Sequence, residues 1–164
     1  MAELTKLEAK LGEVLGLAMA AQGATEKVRK LEDLDPELGQ ELERMHKEAK
    51  QTEERATDVA GGLDGKKTAI LEEAREVKQK ATKMMTDYLD KSADALDGFE
   101  FLTMAEAGEV GHWEILKALN ERARNPQVRE LCEWALPIQQ RHFEEARQGA
   151  LQLAAGENPN EPNG

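Results

Sequence analysis

The three histidines of this chain share one local pattern, because each has a glutamate or a glutamine three residues before it. The pairs are Glu43 and His46, Glu109 and His112, and Gln139 and His142. In an α-helix, side chains three residues apart lie on one face, about one turn apart. A carboxylate and an imidazole placed in this way can bind one metal ion together, as they do in helical bundles that hold two iron or manganese ions.

Two of the pairs fall on the apolar stripe of a predicted helix. The fourth predicted helix has its stripe at Leu102, Ala105, Glu109, His112, Leu116 and Leu119. The fifth has its stripe at Val128, Cys132, Ala135, Gln139, His142, Ala146 and Leu153. A buried carboxylate is costly unless it is paired or binds a cation. We therefore predict that Glu109 and His112 point into the interior, with His142 facing them from the next helix.

The other candidate ligands carry weaker signals. Gln139 repeats the spacing with an amide in place of a carboxylate, and Glu145 lies one turn beyond His142. Glu43 and His46 fall on the flank of the second helix's stripe, so a solvated His46 is the competing interpretation. His112 has an alternative role as a core histidine that is hydrogen-bonded to Glu109. Cys132, Met84, Met85, Trp113 and Trp134 are most simply packing residues.

Five helical segments must position these residues, since every periodic stretch has the three-four spacing of a helix and none alternates as a strand does. The first helix is predicted from about Ala2 to Leu34, and Asp35-Pro36 starts the second. Gly61-Gly62 ends the second. Asp97-Gly98 is either a break between the third and fourth helices or a kink in one long helix, and we favour the break. The remaining helices are predicted from about Phe99 to Arg124 and from about Gln127 to Ala155. We expect one helical domain over residues 1–155 and a disordered tail over residues 156–164.

Composition narrows the function classes. The chain has 164 residues and a formal net charge of −11, which disfavours nucleic acid and anionic membrane surfaces as partners. A single cysteine cannot build a disulfide framework, so we expect a reducing, cytoplasmic location. The first residues lack the pattern of a signal peptide, and no apolar stretch is long enough to span a bilayer.

One stretch resembles a known family. The run Val110, His112, Trp113, Glu114 and Ile115, followed by a short turn and a last helix with an acidic cluster, is similar to the C-terminal half of the YciE/YciF-type bacterial stress proteins. These proteins belong to the ferritin-like superfamily. The resemblance implies an antiparallel four-helix bundle with an additional helix or helix extension. It also implies a metal centre in which His46 takes part.

The chain departs from that family's pattern at several ligand positions. Gln139 and Gln140 stand where the family has carboxylates in the last helix, and Gln22 stands near the expected glutamate of the first helix. Gly111 replaces a glutamate next to the family's histidine. Amides can coordinate a metal ion, but they bring no charge to neutralise it.

Two hypotheses of different class follow. The first is a ferritin-like protein that binds iron or manganese, with an oxidative, stress-protective role; zinc would fit the same ligands. Its ligands would be Glu109 and His112, with His142, Gln139, His46, Glu43 and Glu145 as further candidates. The second is a metal-free helical bundle that serves as a structural or protein-interaction module. Because long bundles often pair through an exposed apolar face, a homodimer is also expected.

Overall fold

The computed structural model describes residues 2–163, which form five α-helices and no strand. The helices are α1 (Lys6–Arg29), α2 (Pro36–Gly61), α3 (Lys67–Tyr88), α4 (Ala95–Ala123) and α5 (Pro126–Ala155). Met1 and Gly164, the ends of the predicted domain and tail, lie outside the described residues. The all-α class predicted from the periodicity is therefore confirmed for residues 2–163.

N-cap residues in the sequence mark the start of most of these helices. Thr5 caps α1 in a capping box with Glu8, whose side chain accepts a hydrogen bond from the Thr5 backbone N–H. The Asp35 side chain caps α2 and is followed by Pro36 at the first helical position. Asn125 does the same for α5, which also starts with a proline. These caps satisfy backbone N–H groups that have no partner inside the helix, which fixes where each helix starts.

The contacts between helices show their directions. Thr25 and Gln22 of α1 contact His46 and Glu53 of α2, so these two helices are antiparallel. In α4 and α5, the short turn at Asn125 and the bond between Glu109 and Gln139 likewise require antiparallel packing.

The second pair of helices packs on the first in the same manner. Lys10 near the start of α1 contacts His112, whereas Val28 near its end faces Gly98, so α1 and α4 are antiparallel. Arg44 and Glu48 of α2 contact Glu145 and Arg141 of α5, which makes that pair antiparallel as well. The helices α1, α2, α4 and α5 thus surround a shared interior.

Helix α3 lies against α1 and runs parallel to it. Gly12 of α1 faces Ile70 near the start of α3, and Lys27 near the end of α1 donates to the Leu89 carbonyl just after α3. Only four residues of α3 are buried, namely Ala69, Ile70, Ala74 and Met85. Helix α3 therefore returns the chain from the end of α2 to the start of α4 along the outside of the other helices.

Two glycines on α1 allow this close contact. A Cβ at Gly12 would lie 2.9 Å from the Glu73 Cβ, and a Cβ at Gly16 would clash with the carbonyl oxygen of Ala74. Glycine costs about 1 kcal/mol in a helix interior relative to alanine. At these two positions the cost is offset because the backbones of α1 and α3 can approach each other.

The interior matches most of the predicted stripes. One buried cluster includes Leu11, Val14, Trp113, Leu116 and Val128, and a second includes Val28, Leu42, Phe99 and Leu102. Trp113, Cys132 and Met85 are buried, as predicted for packing residues, whereas the same prediction is wrong for Met84, which is exposed. Among residues 2–163 no helix has both the length and the apolar character needed to cross a membrane.

Two predicted helix boundaries are wrong. The first helix covers Lys6–Arg29 rather than about Ala2 to Leu34, because Thr5 caps its start and a turn at residues 30–35 follows it. Helices three and four are separate, but the break lies at residues 89–94 and not at Asp97-Gly98. Asp94 and Asp97 form the capping box that begins α4, and Gly98 lies inside α4, where its missing side chain makes room for Val28 and Leu31.

The segment after α5 is exposed and contains only turns and bends over residues 156–163. Its predicted disorder stays a prediction, as does the assignment of residues 1–155 to one domain.

The glycine contact leads to a stability prediction. Gly16→Ala should lower the free energy of unfolding by about 1–3 kcal/mol, because the new methyl group forces α3 away from α1. Gly23→Ala is the matched control, since Gly23 is exposed on the same helix and has nothing within 4 Å of a Cβ. That control should raise the free energy of unfolding by roughly 0.5–1 kcal/mol. Urea unfolding measures both changes, and equal effects at the two positions would contradict the close packing.

Candidate functional site: a buried acid layer

Four polar side chains are buried together where α4 packs on α5. Helix α4 contributes Glu106 and Glu109, and α5 contributes Gln139 and His142. Their exposed fractions are 1%, 4%, 1% and 2%. Helical spacing explains the arrangement, because each helix presents two side chains three residues apart on its buried face. We refer to these four residues as the acid layer.

The hydrogen bonding of the acid layer is incomplete. The Gln139 Nε2 group donates to Glu109 Oε2. The Nδ1 atom of His142 lies 4.0 Å from Glu106 Oε2, which is too long for a hydrogen bond. Among the described residues, Glu106 Oε2 and Gln139 Oε1 have no hydrogen-bond partner. Buried polar groups are almost always satisfied, so two orphaned oxygens in one layer need a physical explanation.

The second nitrogen of His142 connects the layer to α2. His142 Nε2 lies 3.1 Å from Glu48 Oε1, and the guanidinium of Arg141 also binds the Glu48 carboxylate. Glu145, next on the same face of α5, pairs with Arg44. These ion pairs lie between α2 and α5. Because Nε2 of His142 contacts Glu48, the other ring nitrogen, Nδ1, is the one that lies on the side of Glu106.

Burial sets the charge of the two carboxyl groups. Burial raises the pKa of Glu106 from 4.5 to about 8. Burial also raises the pKa of Glu109 well above its ordinary value, and the nearby Glu106 raises it further, while the hydrogen bond from Gln139 acts in the opposite direction. Glu106 is therefore mainly protonated near pH 7 in the absence of a bound cation, and burial favours the neutral form of Glu109 as well.

His142 and Glu48 behave differently from the two acids. Burial lowers the pKa of His142, and the neighbouring Glu48 offsets this only in part, so the imidazole is neutral at pH 7. Burial raises the pKa of Glu48, but the hydrogen bonds from Arg141 and His142 outweigh this effect and hold the pKa below its ordinary value. A neutral imidazole is the form that can donate a lone pair to a metal ion.

The predicted position of His112 is wrong. Its side chain is 34% exposed, and its Nδ1 atom lies 3.2 Å from both Lys10 Nζ and Glu13 Oε1 on α1. Among the described residues, its polar contacts are with α1 and not with His142. The neighbouring Trp113 occupies the core position instead. His112 lies three residues after Glu109 and Trp113 lies four residues after it, and both spacings place a side chain on the same helical face as Glu109.

Three further predicted ligands also lie outside the acid layer. His46 is only partly buried, with its Nδ1 2.9 Å from the Gln22 carbonyl oxygen. Glu43 is exposed and pairs with Lys47. Glu145 pairs with Arg44 and Arg141, although its Oε2 atom is buried and has no partner among residues 2–163. Of the seven predicted ligands, the layer thus contains Glu109, Gln139 and His142.

Sequence reasoning missed two residues, Glu106 and Glu48. Glu106 had a usable signal, since it lies three residues before Glu109 and therefore on the same face. Glu48 had none, because its contact with His142 depends on how α2 packs on α5.

Within residues 2–163, no set of three or more His, Cys, Asp or Glu side chains is arranged to hold a metal ion. The layer offers two carboxyl groups, one imidazole nitrogen and one amide oxygen, but the bond from Gln139 engages one of the Glu109 oxygens. A metal ion would therefore have to bind Glu109 through its other oxygen, Oε1, or replace this hydrogen bond.

Comparisons of the chain with protein-family models, with curated proteins and with solved structures gave no match. The resemblance noted in the sequence accordingly stays a prediction.

The acid layer should make stability fall as the pH rises from about 5 to 8.5. The contribution of a carboxyl group whose pKa is raised in the folded state is fully present below its unfolded pKa of 4.5, and it is lost progressively as the pH rises from there through the folded value of about 8. Glu106→Gln should weaken the dependence and raise the free energy of unfolding at pH 8.5 by about 1–3 kcal/mol. The double variant with Glu109→Gln should remove the dependence.

Urea unfolding at the two pH values measures this effect, with Glu100→Gln on the exposed face of α4 as the control. The control should keep the full pH dependence. An unchanged slope in the double variant would show that other groups cause it.

Cys132 should react slowly in the native protein. It is 3% exposed, and burial raises the pKa of its thiol to about 11, so little thiolate is present at pH 8. We expect Ellman's reagent to label it far more slowly than a free thiol, and at the free-thiol rate in denaturing urea. Rapid labelling without urea would contradict this prediction.

Proposed function

We propose that this chain is a ferritin-like bundle that binds one divalent metal ion, iron or manganese, at the acid layer. Glu106, Glu109 and His142 would be the ligands, with the Gln139 amide oxygen beside them. The observation that carries the proposal is the orphaned Glu106 Oε2 atom, buried 4.0 Å from the Nδ1 atom of His142. A cation between these atoms would satisfy the carboxylate and the imidazole together.

The order of the helices supports the ferritin-like part of the proposal. Ferritin-like folds combine two antiparallel helix pairs with one long crossover between them. Here α1 with α2 and α4 with α5 are the antiparallel pairs, and α3 carries the chain across.

The chemistry of the donors supports iron or manganese. Carboxylate and imidazole ligands suit both of these ions, and zinc would also bind them. An iron or manganese ion held there would supply redox chemistry with oxygen or peroxide. The protein's own contribution is to exclude water from the layer, to orient His142 through Glu48, and to release protons from Glu106 and Glu109 on binding.

A metal-free bundle is the second candidate function, and a specific observation favours it. The bond between Gln139 and Glu109 already satisfies one carboxyl oxygen without an ion, and the described residues contain no preformed set of three ligands. In that case the acid layer would fix the register of α4 on α5, which is a known role of buried polar groups.

The remaining expectations on partners stay predictions. The net charge of −11 argues against nucleic acid as a partner, and the cytoplasmic location rests on the single cysteine. A homodimer would bury exposed apolar side chains such as Met84, Tyr88 and Met104, and light scattering tests it.

Metal binding is tested by elemental analysis of protein purified without a chelator or an affinity-tag metal, followed by thermal unfolding with added Mn²⁺. The wild-type protein should hold about one ion, and its melting temperature should rise with Mn²⁺, by an amount equivalent to about 2.7 kcal/mol at a hundredfold excess over Kd. His142→Ala and Glu106→Gln should abolish both the ion and the response to Mn²⁺.

His112→Ala and His46→Ala are matched controls, because both histidines lie outside the acid layer. Both variants should keep the ion. If the wild-type protein carries no metal and does not respond to Mn²⁺, while His142→Ala lowers stability equally with and without the ion, the metal-free bundle is the correct function.

A further inference from the structure

The outward side of α4 carries apolar and small residues where a helix at the surface of a bundle usually carries charges. The buried residues of α4, such as Leu102, Trp113 and Leu116, lie on one side of the helix. On the opposite side, helical spacing aligns six uncharged residues, which we call the outer stripe: Met104, Ala107, Gly108, Gly111, Ile115 and Ala118. A helix that is apolar on two opposite sides is expected to be buried on both of them.

The outer stripe is open to solvent in the part of the chain that the structure describes. The side chains of Met104 and Ile115 are 49% and 47% exposed. Ala107 and Ala118 are exposed as well. Charged residues make up 34% of the chain, yet the stripe contains none, and Glu114 lies beside it. An exposed apolar surface of this kind marks a site of interaction with another molecule.

The two glycines of the stripe favour a partner helix that approaches the backbone of α4 closely. Among residues 2–163, a Cβ at Gly108 or Gly111 would meet nothing within 4 Å. Each glycine nevertheless costs about 1 kcal/mol in a helix interior relative to alanine. Within the chain, Gly12 and Gly16 allow α1 and α3 to approach each other. Gly108 and Gly111 would allow a helix of another molecule to approach α4 in the same way.

The order of residues along the stripe fits a second copy of this chain. Met104, Gly108, Gly111 and Ile115 are arranged symmetrically about the midpoint between residues 109 and 110. If two α4 helices pack antiparallel around a two-fold axis at that midpoint, Met104 packs against Ile115 of the second copy, and Gly108 faces Gly111. Such an interface is self-complementary, because each contact occurs twice by symmetry.

The charges beyond the two ends of the stripe have the same symmetry. Asp97 and Arg122 lie on the same side of α4 as the stripe and equally far from its midpoint. Arg122 is exposed, and Asp97 is partly exposed. In the antiparallel pair, Asp97 of each copy faces Arg122 of the other. A parallel pair would instead place like charges opposite each other, so charge complementarity favours the antiparallel arrangement.

We propose that this chain forms a homodimer in which two α4 helices pack antiparallel through the outer stripe, with the two-fold axis between residues 109 and 110. From Asp97 to Arg122 the paired surface extends about 38 Å along the helix, at 1.5 Å per residue. This inference gives the expected homodimer a defined surface and pairing. It does not depend on metal binding, because the acid layer lies on the buried side of α4.

Sedimentation equilibrium over a range of protein concentrations tests the dimer. The measurements are made with EDTA, so that no metal ion contributes to association. The wild-type protein should dimerise with a Kd on the order of 1–10 µM, as expected for a small interface built on one helix from each copy.

Two substitutions in the stripe should weaken the dimer. Ile115→Glu should raise the Kd about hundredfold or more, because it buries an unpaired charge against Met104 of the second copy. Gly111→Gln should raise the Kd about tenfold or more, because its side chain separates the two helices. In dilute solution, where the protein is monomeric, Gly111→Gln should also raise the melting temperature, because glycine is the poorer helix former. Leu151→Glu is the matched control, since Leu151 is 53% exposed but lies on α5, and it should leave the Kd unchanged.

An exchange of charges tests the antiparallel register. Asp97→Lys and Arg122→Glu should each raise the Kd about tenfold, because each places like charges opposite each other at both ends of the interface. The variant with both substitutions should return the Kd to within about threefold of the wild-type value, because opposite charges face each other again. Loss of Asp97 removes the capping box of α4 in the single and the double variant alike, so recovery would not come from helix stability.

The proposal is overturned if the wild-type protein is a monomer, which would leave a helix of a different protein as the occupant of the outer stripe. It is also overturned if Leu151→Glu dissociates the dimer as strongly as Ile115→Glu does, or if the double charge exchange does not restore the Kd. Because EDTA is present throughout, none of these results bears on the metal hypothesis, which the Mn²⁺ measurements decide separately.

Discussion

The burial of two carboxyl groups without a cationic partner is the constraint on which the rest of this structure depends. Among the described residues, neither Glu106 nor Glu109 forms an ion pair with a lysine or an arginine. Burying an ionised carboxylate in this way costs several kcal/mol, so the groups must be protonated or must be neutralised by something that binds. The packing of α4 on α5 places these two acids where bulk water does not solvate them.

The arrangement of charges outside the layer strengthens this constraint. Arg44 and Arg141 are engaged by Glu145 and Glu48 between α2 and α5. Lys10 is engaged by Glu13 on α1. The chain has 33 acidic and 22 basic side chains, so its cations cannot pair with every acid, and among the described residues the buried pair is left without a lysine or an arginine. Exposed carboxylates need no partner because water solvates them, whereas buried ones do.

Much of the fold could be predicted from the sequence, because the three-four periodicity of apolar residues continues through each helix. Leu42, Met45 and Ala49 on α2 are buried as their spacing predicted. The break before α4 was misplaced, since the cost of Gly98 inside a helix was weighed without the space that it leaves for Val28. The true start signal was the pair Asp94 and Asp97, a capping box with aspartate in place of glutamate.

The site could be predicted only in part, for reasons of helix geometry. Glu109, Gln139 and His142 lie where the stripes placed them. His112 does not, because positions three and four residues after Glu109 compete for the same face and the larger apolar Trp113 gains more from burial. A stripe on α4 that is shifted by one residue, so that it passes through Trp113 rather than His112, includes Glu106 instead of Ala105. Helical periodicity alone does not choose between the phases, since both fit within the width of one apolar face.

The proton and the proposed divalent ion would compete at the acid layer, because each neutralises carboxyl groups that are costly to bury as anions. A divalent ion that needs both Glu106 and Glu109 ionised would displace up to two protons from these groups, whose pKa values are raised by burial. Raising the pH would therefore favour the ion, whereas lowering the pH favours the protonated layer without an ion. The acid layer thus couples any cation that binds there to the uptake and release of protons, because burial leaves these carboxyl groups no other way to be neutralised.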